Sequence, residues 1–201
     1  MKKTIALILS LIMIATLFTG CSGNNSSETS SESNSETNSE ETITITDQAG
    51  YTVTLPRKID RIAVCDILPL PSVLCVFFDS ADKIVAMAPA SMTAAENSLL
   101  SELYPEILNA DTSAISGSDV NTEELMKLDP QVVFYNANSP QIGEKLRKAG
   151  FNAVAISVNK WDYNAVETLN QWLDLLTQIF PDEANNRAEL VKKYSEDSMK
   201  L

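Results

Sequence analysis

Four short apolar runs constrain this chain more than any other feature. They sit in KIDRIAVCD (core Ile62 to Cys65), DKIVAMAP (Asp82 to Pro89), QVVFYNA (Gln131 to Ala137) and FNAVAISV (Phe151 to Val158). None alternates polar with apolar over its centre, so each reads as a strand buried on both faces. Helix-compatible stretches separate them. Strands that alternate with helices imply right-handed crossovers and a parallel sheet. The expected fold class is α/β, a three-layer lobe whose mainly parallel sheet is covered by helices.

The flanking segments add detail. TITITDQAGYTVTLP reads as a β-hairpin, with strands Thr42 to Thr46 and Tyr51 to Leu55 around a four-residue turn ending at Gly50. Pro69 and Pro71 stand at the front of a short helix in PSVLCVFF. Leu99, Leu100, Leu103 and Ile107 suggest helical turns broken by Pro105. Asn121 is placed to cap a helix that ends before Pro130, and Gly150 to close the helix in SPQIGEKLRKAG. Val166, Leu169, Trp172, Leu173, Leu176 and Ile179 recur at helical spacing. Pro181 breaks that run near N1 of a last long helix, 181–201.

The N-terminus is of another kind. Lys2 and Lys3 precede an uncharged apolar segment, Thr4 to Phe18, and small residues Thr19-Gly20 lead to Cys21. This is the layout of a secretory signal over 1–20. Ser22 to Glu41 hold no aliphatic or aromatic side chain and cannot offset ordering entropy by burial, so 21–41 reads as a disordered tether. About 160 residues then remain for one domain. Acidic residues outnumber basic ones 27 to 15 and the net charge is -12, which argues against nucleic acid. Cys65 and Cys75 lie in apolar runs and read as core thiols, with a disulfide the alternative.

Leu17-Phe18-Thr19-Gly20-Cys21 resembles a bacterial lipobox, with the leucine one residue further back than usual. The resemblance implies cleavage before Cys21 and its lipidation; an uncleaved anchor with a chance cysteine is the alternative. Four further pieces resemble the N-terminal lobe of the substrate-binding proteins that serve ABC importers for iron-siderophores, haem and cobalamin. They are ITDQAGYTVTLP with KIDRIAV, then FFDSADKIVAM, SDVNTEELMKLDPQVVFY and GEKLRKAGFNAVAI, in the family's order. By this resemblance 42–180 is that lobe and 181–201 starts the helix joining it to a second lobe, which this chain lacks. It also implies a lipid-anchored, monomeric, non-enzymatic protein on the extracytoplasmic face. Its partners would be a permease with its ATPase, and its cargo a ferric siderophore, haem or cobalamin rather than a resident cofactor.

Ligands of open α/β sheets bind beyond the carboxyl ends of the strands. Three loops qualify, Asp66 to Leu68, Ala88 to Met92 and Tyr135 to Ser139, with a fourth after the last strand. Asp66, Ser91, Met92, Tyr135, Asn136 and Trp161 are the candidates, each set against plain helix capping or local packing. Glu123 matches the family's permease-docking glutamate; an acid in a helix's first turn also meets the helix dipole favourably. The chain has no histidine, no phosphate loop, no nucleophile elbow and no CxxC pair. An anchored hydrolase or a partner-binding surface module on the same scaffold is the competing reading.

Overall fold

The structure is a computed structural model that describes residues 41–117, 119–184 and 187–200. The signal segment, Cys21 and the tether up to residue 40 lie outside the described residues. Alternation sets the entry hairpin. Strand β1 (Thr42–Thr46) pairs antiparallel with β2 (Thr52–Pro56), turning Ile45, Val53 and Leu55 inward and the threonines to solvent. The turn differs from the expected one. The Asp47 N–H donates to the Tyr51 carbonyl (2.9 Å) and the Gly50 N–H to the Asp47 carbonyl (3.0 Å). The loop is thus Gln48-Ala49-Gly50, with Gly50 at φ 90, and Tyr51 closes the turn instead of starting the strand.

The apolar runs become β3 (Ile62–Cys65), β4 (Ile84–Met87), β7 (Val132–Asn136) and β8 (Ala153–Ile156). They form one parallel sheet in the order β4-β3-β7-β8. Two-residue strands β5 (Ile115–Ser116) and β6 (Asp119–Val120), not foreseen from the sequence, make a separate antiparallel ribbon. Both faces of the sheet are buried, as the continuous apolar runs require. Ile62, Val64, Phe134, Val154 and Ile156 enter a larger core, and Ala63, Cys65, Val133, Tyr135, Ala153 and Ala155 a smaller one.

Helices α1 (Leu70–Phe78) and α6 (Ala165–Ile179) cover the larger face. Helices α4 (Thr122–Lys127) and α5 (Pro140–Lys148) cover the smaller one through Leu125, Ile142 and Leu146. Asn121 caps α4 as expected, its side-chain oxygen accepting from the N–H groups of Glu123 and Glu124. Past α5 the Phe151 N–H bonds to the Leu146 carbonyl and the Gly150 N–H to that of Arg147, with Gly150 at φ 91. That pairing is a Schellman stop. The expected turns around Pro105 are α3 (Leu100–Leu103) and a 3-10 segment, Pro105–Asn109.

Two expectations are corrected. Ala88 to Met92 is not a free loop, because α2 (Pro89–Glu96) starts there. Small residues carry its inward face, only Ser91 and Ala95 being buried, so no large-side-chain period marks it. Pro181 does not sit at N1 of the final helix. It begins a turn in which the Glu183 and Ala184 N–H groups bond to the Phe180 carbonyl, and α7 runs from Arg187 to Ser198. The expectation of core thiols holds: Cys65 and Cys75 are free, buried, and in different cores.

The edges of the sheet are closed. Beside β8, the Asp47 carboxylate accepts from the Ala155 N–H (2.9 Å), and the Gln48 side chain accepts from the Ser157 N–H (2.7 Å). Beside β4, the Met87 N–H donates to the Asp111 carbonyl and the Asp111 N–H to that of Val85. Hydrogen bonds that would otherwise invite another chain are thereby used internally.

Candidate functional site

The carboxyl ends of β3 and β8, and the helices that follow them, meet at one edge of the sheet. Helix α1 follows β3 and α6 follows β8, both over the larger core, so their N-terminal ends converge there. Between them lies a depression of about 370 Å³. It is lined by Pro69 and Val73 at the start of α1, Val158 and Tyr163 from the segment after β8, and Leu169 and Trp172 from α6. The Trp172 indole N–H donates to the Ser157 carbonyl (2.7 Å), which fixes the ring against the base of the β8 loop. Thr168 also lines the depression. It is 8 % exposed, and its enclosed hydroxyl has no hydrogen-bond partner among the described residues.

Three of the candidates gather around the β3–α1 loop. Asp66 stands at φ 51 with an exposed side chain, and its carbonyl accepts from the Asn136 amide at 3.4 Å. Asn136 also holds its own loop, accepting from the Asn138 N–H (3.0 Å). The buried Ser91 hydroxyl donates to the Leu68 carbonyl at 3.4 Å, so it ties α2 to the same loop. Met92, one residue on, is half-buried and packs on the larger core. Trp161 is half-buried on the loop after β8, with the Lys160 ammonium 5.9 Å from its ring centre.

Tyr135 is not with them. Its position puts it on the smaller-core face, 1 % exposed, with its hydroxyl accepting from Arg147 at 3.1 Å. Burial raises its phenol above the ordinary value, and Arg147 works against that rise. Sequence reading placed Tyr135 at a strand end but did not resolve its face. It missed Tyr163, exposed at the depression, and Leu68, exposed on the β3–α1 loop. Tyr163 and its neighbour Asp162 adopt φ 59 and 52, left-handed values costly for a non-glycine residue. Hydrophobic periodicity carries no signal for such a backbone.

Glu123 belongs to the other face of the sheet. It is exposed in the first turn of α4, whose Leu125 packs in the smaller core. Lys127 pairs with Glu124 (2.7 Å), and Glu123 has no ion-pair partner among the described residues. A larger groove of about 630 Å³, lined by Arg57, Lys58, Asp60, Gln131, Asp182 and Glu183, opens between the hairpin's exit and the α6–α7 turn. Its charges are already engaged: Arg57 holds Asp182 at 2.7 Å, and Lys58 holds Asp60 at 3.2 Å. Among the described residues no three His, Cys, Asp or Glu side chains gather to hold a metal ion. None of the described helices is long and apolar enough to cross a membrane.

No protein-family model matches the sequence, and no curated protein matches it. Solved structures do. A periplasmic solute binding protein from Veillonella parvula is 29% identical, with a TM-score of 0.70 over 80% of this chain and 46% of its own. MolA, the molybdate periplasmic binding protein of a Haemophilus influenzae ABC transporter, is 25% identical, with a TM-score of 0.60 over 74% and 49%. VctP, a catecholate-siderophore binding protein of Vibrio cholerae, shares the fold at 19% identity, with a TM-score of 0.57 over 80% and 52%. The chain spans about half the length of each. Hairpin, covered parallel sheet and closing helices together give the described residues the fold of the periplasmic solute-binding proteins of ABC transporters, over about half of such a protein.

Proposed function

We propose that this chain supplies the N-terminal lobe, 42–180, of a solute-binding component of an ABC importer, held at the extracytoplasmic face by a lipid on Cys21. In this reading 1–20 is the cleaved signal, 21–41 the leash, and 181–201 the start of the helix to a second lobe. The cargo is an iron-siderophore or a related metal chelate, received at the strand-end loops bearing Asp66, Asn136 and Trp161 and at the first turn of α2 bearing Ser91 and Met92. Glu123 seats the loaded protein on the permease.

One observation carries the reading. The apolar depression between α1 and α6 opens at the carboxyl edge of a parallel sheet, where ligands of open α/β folds bind. The matched structures are binding proteins, which favours binding over hydrolysis. Trp172 lines the depression and Trp161 flanks it, so bound cargo should quench their emission. Titration with ferric siderophores, haem and cobalamin tests this, and a flat response to the whole panel rejects the cargo class. Docking is tested separately: Glu123→Arg should abolish stimulation of the cognate transporter's ATPase and leave ligand affinity unchanged. Retained stimulation rejects the role of Glu123.

A further inference from the structure

The segment from Ser157 to Asn164 carries Trp161 and Tyr163 between β8 and α6, and none of it is helix or strand. Two consecutive residues in it, Asp162 and Tyr163, stand at φ 52 and 59. Such backbone is costly outside glycine and persists only where surrounding contacts hold it. The contacts that reach this loop from elsewhere in the fold converge on the turn of the entry hairpin.

Gln48 lies in that turn, 109 residues before Ser157. Its side-chain carbonyl accepts from the Ser157 N–H at 2.7 Å, and its side-chain amide donates to the Gln171 carbonyl in α6 at 3.1 Å. Its backbone carbonyl accepts from the Lys160 ammonium at 3.3 Å. One residue thus joins the root of the loop, its middle and the helix that follows. The root itself is firm. Ser157 is buried, its carbonyl takes the Trp172 indole N–H at 2.7 Å, and its hydroxyl accepts from the Lys160 N–H at 3.1 Å. A glutamine amide accepts and donates at once, whereas a leucine of similar size does neither.

Asp47, next to it, serves a different end. Its buried carboxylate accepts from the N–H groups of Ala49 and Tyr51 within the turn and from that of Ala155 in β8. Asp47 fastens the turn to the strand, and Gln48 reaches past the strand to the loop.

We infer that Gln48 is a positioning residue, which holds the loop Ser157–Asn164 in its binding geometry before any ligand arrives. The inference rests on the reading that the strand-end loops receive the cargo. A loop ordered in advance spares the entropy that a loose one loses on binding, so loosening it weakens affinity without removing any ligand contact.

The test uses the full chain labelled with 5-fluorotryptophan, its two fluorine signals assigned with Trp161→Phe. Gln48→Leu should broaden or split the Trp161 signal and speed amide exchange across 158–163 about tenfold more than in β3 and β7. Protection retained in β3 and β7 shows that the variant folds. Ferric enterobactin, ferrichrome, haemin and cyanocobalamin are then titrated, and any that binds the parent should bind Gln48→Leu about tenfold more weakly. A merely destabilising change would not do this. Gly143→Ala, which forces a contact with Tyr135 on the other face of the sheet, should leave the Trp161 signal and these affinities unchanged. An unaltered Trp161 signal and loop exchange in Gln48→Leu overturn the inference. So does unchanged affinity for every probe that binds the parent, or an equal loss in Gly143→Ala. If no probe binds the parent, the cargo reading falls, and the Trp161 signal with loop exchange alone decides whether Gln48 holds the loop.

Discussion

Cys65 and Cys75 illustrate how much a single buried side chain determines. Burial, with the nearby Asp66 carboxylate adding to it, pushes the Cys65 thiol up to about 12, and burial pushes Cys75 up to about 11. In the unfolded chain both would ionise near 8.5–9. The folded state therefore keeps protons that the unfolded state releases. Stability is undiminished below about pH 9 and falls between there and the folded values, by up to about 1.4 kcal/mol per pH unit for each thiol. Cys65→Ala should flatten this alkaline limb in pH-dependent urea melts; an unchanged slope would refute the assignment. Thiol counting reads the third cysteine too. Native protein should leave Cys65 and Cys75 unreactive to a thiol reagent at pH 8. In denaturant two thiols should appear if Cys21 carries its lipid as a thioether, and three if it is unmodified. At this scale the sequence was legible for burial and not for direction. Both cysteines read correctly as core, whereas Tyr135 needed the strand register to show which face it takes.

At the level of elements, α5 packs closely on β7 through a glycine. A Cβ built on Gly143 would stand 2.4 Å from the Tyr135 ring carbon Cζ and 2.6 Å from its hydroxyl oxygen. Real side chains do not approach so closely, and the ring is enclosed, so the helix would have to lift. Gly143→Ala should therefore destabilise the fold by about 1–3 kcal/mol, although alanine favours a helix over glycine. Removing the ring removes the conflict. Starting from Tyr135→Val, the same Gly143→Ala change should be neutral or stabilising in urea melts, and an undiminished penalty would locate its cause elsewhere. The elements legible in the sequence are those with a chemical marker: the alternating hairpin, the four apolar strands, the Asn121 cap and the Gly150 stop. α2 was missed because serine and alanine make its buried face. β5 and β6 were missed because two residues cannot display a period. The candidate edge was legible from the order of strands and helices, but its depression arises from α1 and α6 converging across distant sequence.

For the molecule as a whole, stability should fall toward the C-terminal end. Helix α6 buries Trp172, Leu173, Leu175, Leu176 and Ile179, and its end is locked where Phe180 meets Phe78 edge-on at 4.8 Å. Helix α7 buries only Ala188 among its described residues, with Val191 half-buried. What it lacks in apolar contact is supplied by charge. Arg57 grips Asp182 through two hydrogen bonds, 2.7 and 3.0 Å, and Lys83 pairs with Glu183 at 2.9 Å. Arg187 pairs with Asp79 and Lys192 with Asp174. Exposed pairs contribute about 0–1 kcal/mol each, and salt shortens their reach from about 10 Å at 0.1 M to about 3 Å at 1 M. Amide exchange should accordingly be faster in α7 than in α6 at any salt. Raising sodium chloride from about 0.05 M to about 1 M should speed α7 severalfold and leave α6 and β3 unchanged, since their protection comes from burial. Acid should act on the ionic framework from another side. Hydrogen bonds from Lys83 and Lys58 hold the Asp60 carboxyl below its ordinary value, so its contribution is present above about pH 4 and is lost as pH falls through the lowered value. Salt-independent exchange in α7 would mean that Ala188 and Val191 hold the helix by packing, and that the ion pairs merely decorate it.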